Sequence, residues 1–97
     1  MSTLRKKLKA ELREIEWAAL RPHFERDVVI VVSPELELVD VAEKVASNSQ
    51  VEIAKWIQSG GISKPSIGEL GAWEKNLDRR FIFLIIFPFV LIQAVSH

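Results

Sequence analysis

The sequence predicts an α+β fold: a small sheet built from two main apolar strands, residues 28–32 and 81–93, packed with about four helices. Val28–Val32 is wholly apolar and β-branched, which is typical of a strand buried on both faces. The run Phe81–Ile92 is also apolar and carries no charge. Outside these two runs, apolar residues recur at helical spacing.

Length, charge and cysteine content exclude several classes of protein. A chain of 97 residues predicts a single small globular domain, residues 1–97. Thirteen basic residues balance thirteen acidic ones, so nucleic-acid binding is not expected, because it usually relies on a basic excess. The chain has no cysteine, which excludes disulfides, zinc–thiolate sites and cysteine nucleophiles. Residues 1–7 contain no apolar stretch after their basic residues, which predicts no secretory signal and a cytoplasmic location.

The N-terminal segment has the spacing of an amphipathic helix. Five of its apolar residues lie three or four positions apart: Leu4, Leu8, Leu12, Ile15 and Ala19. This spacing places them on one stripe of a helix. Residues 17–20 either continue that helix or begin a second short one, before Pro22 interrupts the pattern.

Three further helices are predicted between the two apolar strands. Ser33-Pro34 is a start signal for a helix over about residues 35–46. Capping-box patterns at residues 49–52 and 66–69 predict two more helices. The first of these has an apolar face formed by Ile53, Trp56 and Ile57 and ends at Gly60-Gly61, and the second runs through Leu70, Trp73 and Leu77.

The C-terminal apolar run allows three interpretations: a buried strand, a membrane anchor or a surface for another subunit. Fifteen residues from Phe81 to Val95 would make a helix of only about 22 Å, too short to span a bilayer, so no membrane span is expected. As one strand the run is too long. Pro88 therefore predicts a strand over 81–87, a bend, and a continuation or second strand over 89–93. Because the run does not alternate, both of its faces must be covered, by helices on one side and by more helix or a second subunit on the other.

The sequence resembles a small bacterial family catalogued as domain of unknown function 2288. The resemblance extends from about Leu4 to Gln93 and is most specific at the ending Ile85–Gln93, where Phe89 stands in place of the family's usual tryptophan. Residues 47–49 depart from the family too, since its members are usually more acidic there. The other matching positions are Glu16-Trp17, Leu20, His23-Phe24, Val28–Val32, Leu36, Leu38-Val39, Val41-Ala42, Val51, Trp56, Gly60 or Gly61, and Trp73. The family has no established activity, so the resemblance implies no function.

Five residues are candidates for an interface or for contact with a ligand: His23, Trp56, Trp73, Phe89 and Gln93. All of them except Phe89 have a structural alternative. The two tryptophans fall on helix stripes as core anchors would. His23 could hydrogen-bond the start of a strand, and Gln93 could satisfy loose backbone groups at a strand end. A cluster of acids, Glu35, Glu37, Asp40 and Glu43, is a carboxylate metal site or a solvated helix face.

Two functional hypotheses follow, from different classes of protein. The first is a non-catalytic protein-interaction or homo-oligomerising module, expected to be a homodimer, because a sheet of two strands is too small to be stable alone. The alternative is a small-ligand-binding regulatory domain with a pocket between sheet and helices near His23, Trp56 and Gln93. An enzyme ranks last, since no catalytic residues, metal ligands or cofactor-binding residues are evident, and no cofactor is expected.

Overall fold

The structure, a computed structural model, describes residues 3–95, which form five helices and five strands. In chain order the elements are α1 (Thr3–Glu11), β1 (Arg13–Glu16), α2 (Trp17–Glu25), β2 (Val29–Val32), α3 (Leu38–Ala46), α4 (Gln50–Ser59), β3 (Ile62–Ser63), α5 (Ile67–Glu74), β4 (Arg80–Ile86) and β5 (Phe89–Ala94). The predicted α+β fold is confirmed, with one more helix and three more strands than the sequence indicated.

The two predicted apolar segments form the centre of one mixed sheet. Its strand order is β1-β4-β5-β2-β3, and every pair is antiparallel except β2 and β5. The long C-terminal run does not continue past Pro88 but folds back, so that Ile86 pairs with Phe89 across a two-residue connection. The Phe87–Pro88 peptide bond in that connection is cis. Of the two outcomes that the sequence left open, the second strand is therefore the one observed.

Helices from the chain itself cover both faces of the sheet. We call the side covered by α1, α3 and α4 the first face; there these helices pack on Val32, Leu84 and Leu91. On the opposite side, the second face, α2 and α5 pack on Phe81 and Ile92. Strand side chains alternate between the two faces, which explains why the central strands are apolar at all positions except Arg80 and Gln93.

A single helical stripe from Leu4 to Ala19 is wrong, because α1 ends at Glu11; of the two alternatives for residues 17–20, the second short helix, α2, is the one observed. Residues 13–16 form β1, an edge strand that places Ile15 opposite Phe81 on the second face. Arg80 of β4 binds both Glu14 at 3.1 Å and Glu16 at 3.3 Å across this pairing. Contacts with a segment far along the chain therefore override the local helical spacing.

Pro22 lies inside α2 and does not end it. Proline removes the hydrogen bond to the carbonyl one turn earlier, which belongs to Ala18. Both residues are exposed, so water can replace the missing donor at that position.

The three serines predicted to begin helices form different structures. Ser33 begins a turn and not a helix: its Oγ accepts from the Glu35 N–H at 3.2 Å, and α3 begins only at Leu38. Ser49 precedes α4 without a capping bond from its side chain. Ser66 forms the full capping box with Glu69, with bonds of 3.1 and 3.0 Å.

The helices α4 and α5 end in different ways. Gly60 ends α4 with φ +82°, the left-handed conformation that glycine adopts without strain. The helix α5 ends at Glu74, so Leu77, expected on its apolar face, lies outside it and is partly exposed. Within residues 3–95 no helix combines the length and the apolarity that a membrane crossing requires.

Candidate functional site

An apolar cleft of about 470 Å³ lies on the first face of the sheet, between α4 and the strands. Seven of its nine lining residues are apolar; the lining consists of Ile30, Val45, Ile53, Ile57, Ile62, Ser63, Lys64, Phe89 and Leu91. They come from α3, α4, β2, β3 and β5, and from the residue that follows β3. The volume falls within the range of about 300–1,000 Å³ that is typical of ligand sites.

The cleft exists because α4 does not seal its apolar face against the sheet. Ile53 and Ile57 lie one helical turn apart and both line the cleft. The sequence predicts that Ile53, Trp56 and Ile57 form the apolar face of this helix, yet α4 has no fully buried residue and Ile57 is 61 % exposed. The sequence did not indicate that the two isoleucines line a cleft. The sequence signal that could have indicated the cleft is the apolar face of α4, a helix near the edge of the sheet.

The rim of the cleft is polar at one end only. Lys64 is the single charged residue among the lining residues, and its Nζ lies 2.7 Å from Oδ2 of Asp27. Both side chains are exposed, so this pair contributes little to stability.

The tip of the β4–β5 hairpin carries a group of exposed apolar side chains beside the cleft. The hairpin extends past both neighbouring strands, because β1 pairs only as far as Phe83 and β2 begins its pairing at Val90. Phe87 at the turn is 92 % exposed. Ile85 is 52 % exposed, but it pairs with Val90 and therefore lies on the second face, away from the cleft. Phe89, two residues after Phe87, is 39 % exposed and lines the cleft, so the hairpin tip begins at the end of the cleft that Phe89 forms.

Of the predicted site residues, Phe89, Trp56 and Gln93 lie on the first face. Trp56 packs against the core beside the cleft but does not line it. Gln93 is buried, and its Nε2 donates to the carbonyl oxygens of Ser33 and Leu36, both at 2.7 Å. This arrangement matches the structural alternative for Gln93, since the amide ties the β2–α3 loop to β5.

The other two predicted site residues belong to helices of the second face. Trp73 is a core anchor: its ring lies 5.0 Å from that of Trp17 and 4.9 Å from that of Phe81. His23 lies in the last turn of α2 and is partly buried. The sheet therefore separates His23 from Trp56 and Gln93, and the single pocket expected near these three residues does not form.

The acidic cluster is held by an arginine from another helix. Arg5 of α1 binds Glu37 at 2.6 Å and also binds Asp40, while Glu43 lies 3.7 Å away. The hydrogen bond to Asp40 and the nearby negative charges raise the pKa of the Arg5 guanidinium. Among residues 3–95 no group of three His, Asp or Glu side chains is arranged to hold a metal ion.

Fold and site together define a class: a small α+β domain with helices on both faces of a five-stranded mixed sheet and an apolar cleft beside its central hairpin. The chain belongs to the family described as "Protein of unknown function (DUF2288)", which matches residues 3–94. The resemblance noted from the sequence is thereby confirmed. The chain is also similar to the NMR solution structure of PA1075 from Pseudomonas aeruginosa, with 33% sequence identity and a TM-score of 0.82. That match covers 100% of this chain and 89% of the other. Comparison with curated proteins finds no match.

Proposed function

We propose that the domain is a non-catalytic interaction module that forms a homodimer through the hairpin tip and the apolar cleft. The observation that carries this proposal is an almost fully exposed aromatic residue, Phe87, next to an open apolar cleft on the same molecule. Contiguous exposed apolar surface of this kind marks interaction sites in soluble proteins.

This support differs from the reason that the sequence offered for a dimer. An uncovered sheet no longer argues for a partner, because the chain's own helices cover both faces. The sheet edges do not favour pairing either: β3 has two residues, and β1 carries charges at Arg13, Glu14 and Glu16. Short and charged edge strands discourage the addition of another strand.

A two-fold axis beside the hairpin would let each copy insert Phe87 into the cleft of the other. Such an interface is self-complementary, as closed dimers require. Burying one phenylalanine side chain contributes about 1.5–3 kcal/mol, and two copies contribute twice that. Association costs at least about 4 kcal/mol, so Ile57 and Phe89 must add to the contact and the dimer is expected to be reversible. The zero net charge of the chain and the single charge in the cleft lining offer little repulsion.

Sedimentation across micromolar to millimolar concentration tests the dimer. The wild-type chain is expected to associate, and Phe87→Ser is expected to shift the equilibrium to monomer. The matched control is Ile67→Ser, because Ile67 is 90 % exposed on α5, away from the hairpin, and its loss should leave association unchanged. A wild-type chain that stays monomeric throughout, or a Phe87→Ser variant that associates normally, would overturn the proposal.

A small-ligand-binding regulatory domain is the second candidate, favoured by the size and the apolar lining of the cleft. Its polar end at Ser63 and Lys64 suits an amphipathic anion, and decanoate and dodecanoate are suitable probes. Ile57→Asp should abolish their binding, whereas Phe87→Ser should not, because Phe87 does not line the cleft. If neither fatty acid shifts the amide NMR signals of the cleft residues, this second function is excluded for that ligand class.

A further inference from the structure

A second cavity, of about 310 Å³, lies on the other face of the sheet, between α5 and the ends of β2 and β4. It differs from the cleft in its chemistry, because two opposite charges line it, Arg79 and Glu69. Apolar walls stand beside them, including Trp73, Phe81 and Pro34. The volume is at the low end of the range for ligand sites, which favours a small metabolite.

Arg79 is held in place but has no anionic partner among residues 3–95. Its backbone N–H donates to the Asn76 carbonyl at 3.0 Å, and its carbonyl accepts from the Trp17 N–H at 2.8 Å. Its guanidinium carbon lies 5.8 Å from the centre of the Phe81 ring. Within residues 3–95 its side chain has neither a hydrogen-bond acceptor nor an ion pair, although the residue is partly buried.

The other arginines of the chain show how unusual this is. Arg5, Arg21 and Arg80 all bind carboxylates, and Arg13 binds backbone carbonyls. Arg26 also lacks such contacts among the described residues, but it is exposed, so water satisfies its donors. Arg79 therefore presents five N–H donors at a partly desolvated site with an aromatic ring behind them, an arrangement suited to a carboxylate.

Glu69 supplies the opposite charge on the same cavity. Its Oε1 accepts from the Ser66 N–H in the capping box, while its Oε2 accepts no hydrogen bond from residues 3–95. Trp73 follows four positions later on the same side of α5, and both side chains line the cavity. Glu69 and Arg79 form no ion pair with each other, so a ligand can lie between them.

We propose that this second cavity binds a small zwitterion, an α-amino acid with an apolar side chain. Its carboxylate would pair with Arg79, its ammonium group with Glu69, and its side chain would contact Trp73 and Phe81. A molecule carrying both charges satisfies both groups at once, whereas a simple anion would leave Glu69 beside its own negative charge. The site lies on the second face and is independent of the proposed dimer.

The first experiment is an NMR titration of the isotope-labelled full chain with L-alanine, L-valine, L-leucine, L-methionine and L-phenylalanine, one at a time. At least one of them is expected to shift the amide signals of Val31, Trp73 and Ala94 in a saturable manner. If none does so at tens of millimolar, or if the shifts map to the apolar cleft around Ile57, the proposal fails.

The second experiment separates the two charges. The amino acid that binds most tightly is compared with the corresponding amine, which lacks the carboxylate, and the corresponding acid, which lacks the amino group. For leucine these are 3-methylbutylamine and 4-methylpentanoate. Arg79→Gln should lower the affinity for the amino acid about tenfold or more but leave the affinity for the amine unchanged. Glu69→Gln should lower the affinity for the amino acid but not for the deaminated acid. The capping box is retained in this variant, because glutamine also serves at that position.

Arg26→Gln is the matched control, since it removes the exposed arginine that has no partner among the described residues. Its affinity for the amino acid should equal that of the wild type. Circular dichroism of each variant verifies folding, and Glu69→Gln keeps the test decisive even where Arg79→Gln fails to fold. Equal losses for the amino acid and both analogues in either variant would show that the charges do not bind the ligand.

Discussion

Replacing Gln93 with methionine removes both hydrogen bonds that hold the β2–α3 loop against β5 while nearly preserving the shape of the side chain. Each bond contributes about 1 kcal/mol net. The Ser33 carbonyl keeps a second donor, the Leu36 N–H at 3.0 Å. The Leu36 carbonyl has no other donor among the described residues, and leaving it unpaired adds about 1 kcal/mol. We therefore expect Gln93→Met to lower the free energy of unfolding by about 3 kcal/mol.

Urea denaturation followed by circular dichroism measures this loss, and at this chain length the melting temperature should fall by roughly 12–24 °C. Gln58→Met is the matched control, because Gln58 is an exposed residue of α4 and its replacement should change stability by less than about 0.5 kcal/mol. A loss below about 0.5 kcal/mol for Gln93→Met would refute the role assigned to the amide.

Gln93→Glu tests the same contact by its pH dependence. A carboxylate there faces two carbonyl oxygens in a buried site, which raises its pKa above the value of about 4.3 expected in the unfolded chain. A raised folded-state pKa means that stability is retained below the unfolded pKa and is lost as pH rises through the folded one. The variant should therefore be less stable than Gln93→Met at pH 7 and approach it near pH 4. A pH-independent difference between the two variants would contradict the reasoning.

Two further pairs of substitutions test the helix ends by urea denaturation. Ser66→Ala removes a formed capping box and should cost about 1 kcal/mol, whereas Ser49→Ala removes no capping bond and should cost less than half as much. Equal losses would contradict the difference between the two caps. Gly60→Ala forces a side chain into φ +82° and should destabilise by about 1 kcal/mol, while Gly71→Ala lies within α5 with open space around its Cβ and should stabilise by a similar amount. A stabilising Gly60→Ala would show that the αL ending of α4 is not required.

The parts of the fold that the sequence predicted are those with strong local signals. Residues 28–32 and 81–92 are apolar at every position because they become the centre of a sheet covered on both faces. The capping box at Ser66 is a contact within four residues, so its pattern predicts the structure directly.

The parts that were missed depend on partners far along the chain. Ile15 fits the helical spacing of its neighbours, and only its pairing with Phe81, 66 residues later, makes it part of a strand. The two-residue strand β3 is too short to have a pattern, and its pairing with Val31 and Val32 fixes it instead.

Neither cavity could be found from the sequence. The apolar cleft combines five separate elements, and whether Ile57 lines a cleft or lies in a core depends on how closely α4 approaches the sheet. The second cavity likewise depends on tertiary placement: Glu69 lies in α5, whereas Arg79 lies ten positions later in the segment before β4. Phe89 alone, among the five residues selected from the sequence, lines the cleft, and Trp73 alone lines the second cavity.

The position of the hairpin in the sheet determines when this domain can fold during synthesis. Strands β4 and β5 leave the ribosome after the other elements described for this domain, yet among the described residues β1 pairs only with β4, and β2 has no central neighbour until β5 arrives. During synthesis the N-terminal part of a chain emerges first, and a domain generally folds as one unit. A nascent chain halted before residue 89 would hold Val29–Val32 and the apolar sides of α3 and α4 without their main packing partner. Such a chain is expected to be a substrate for chaperones until Ala94 has emerged.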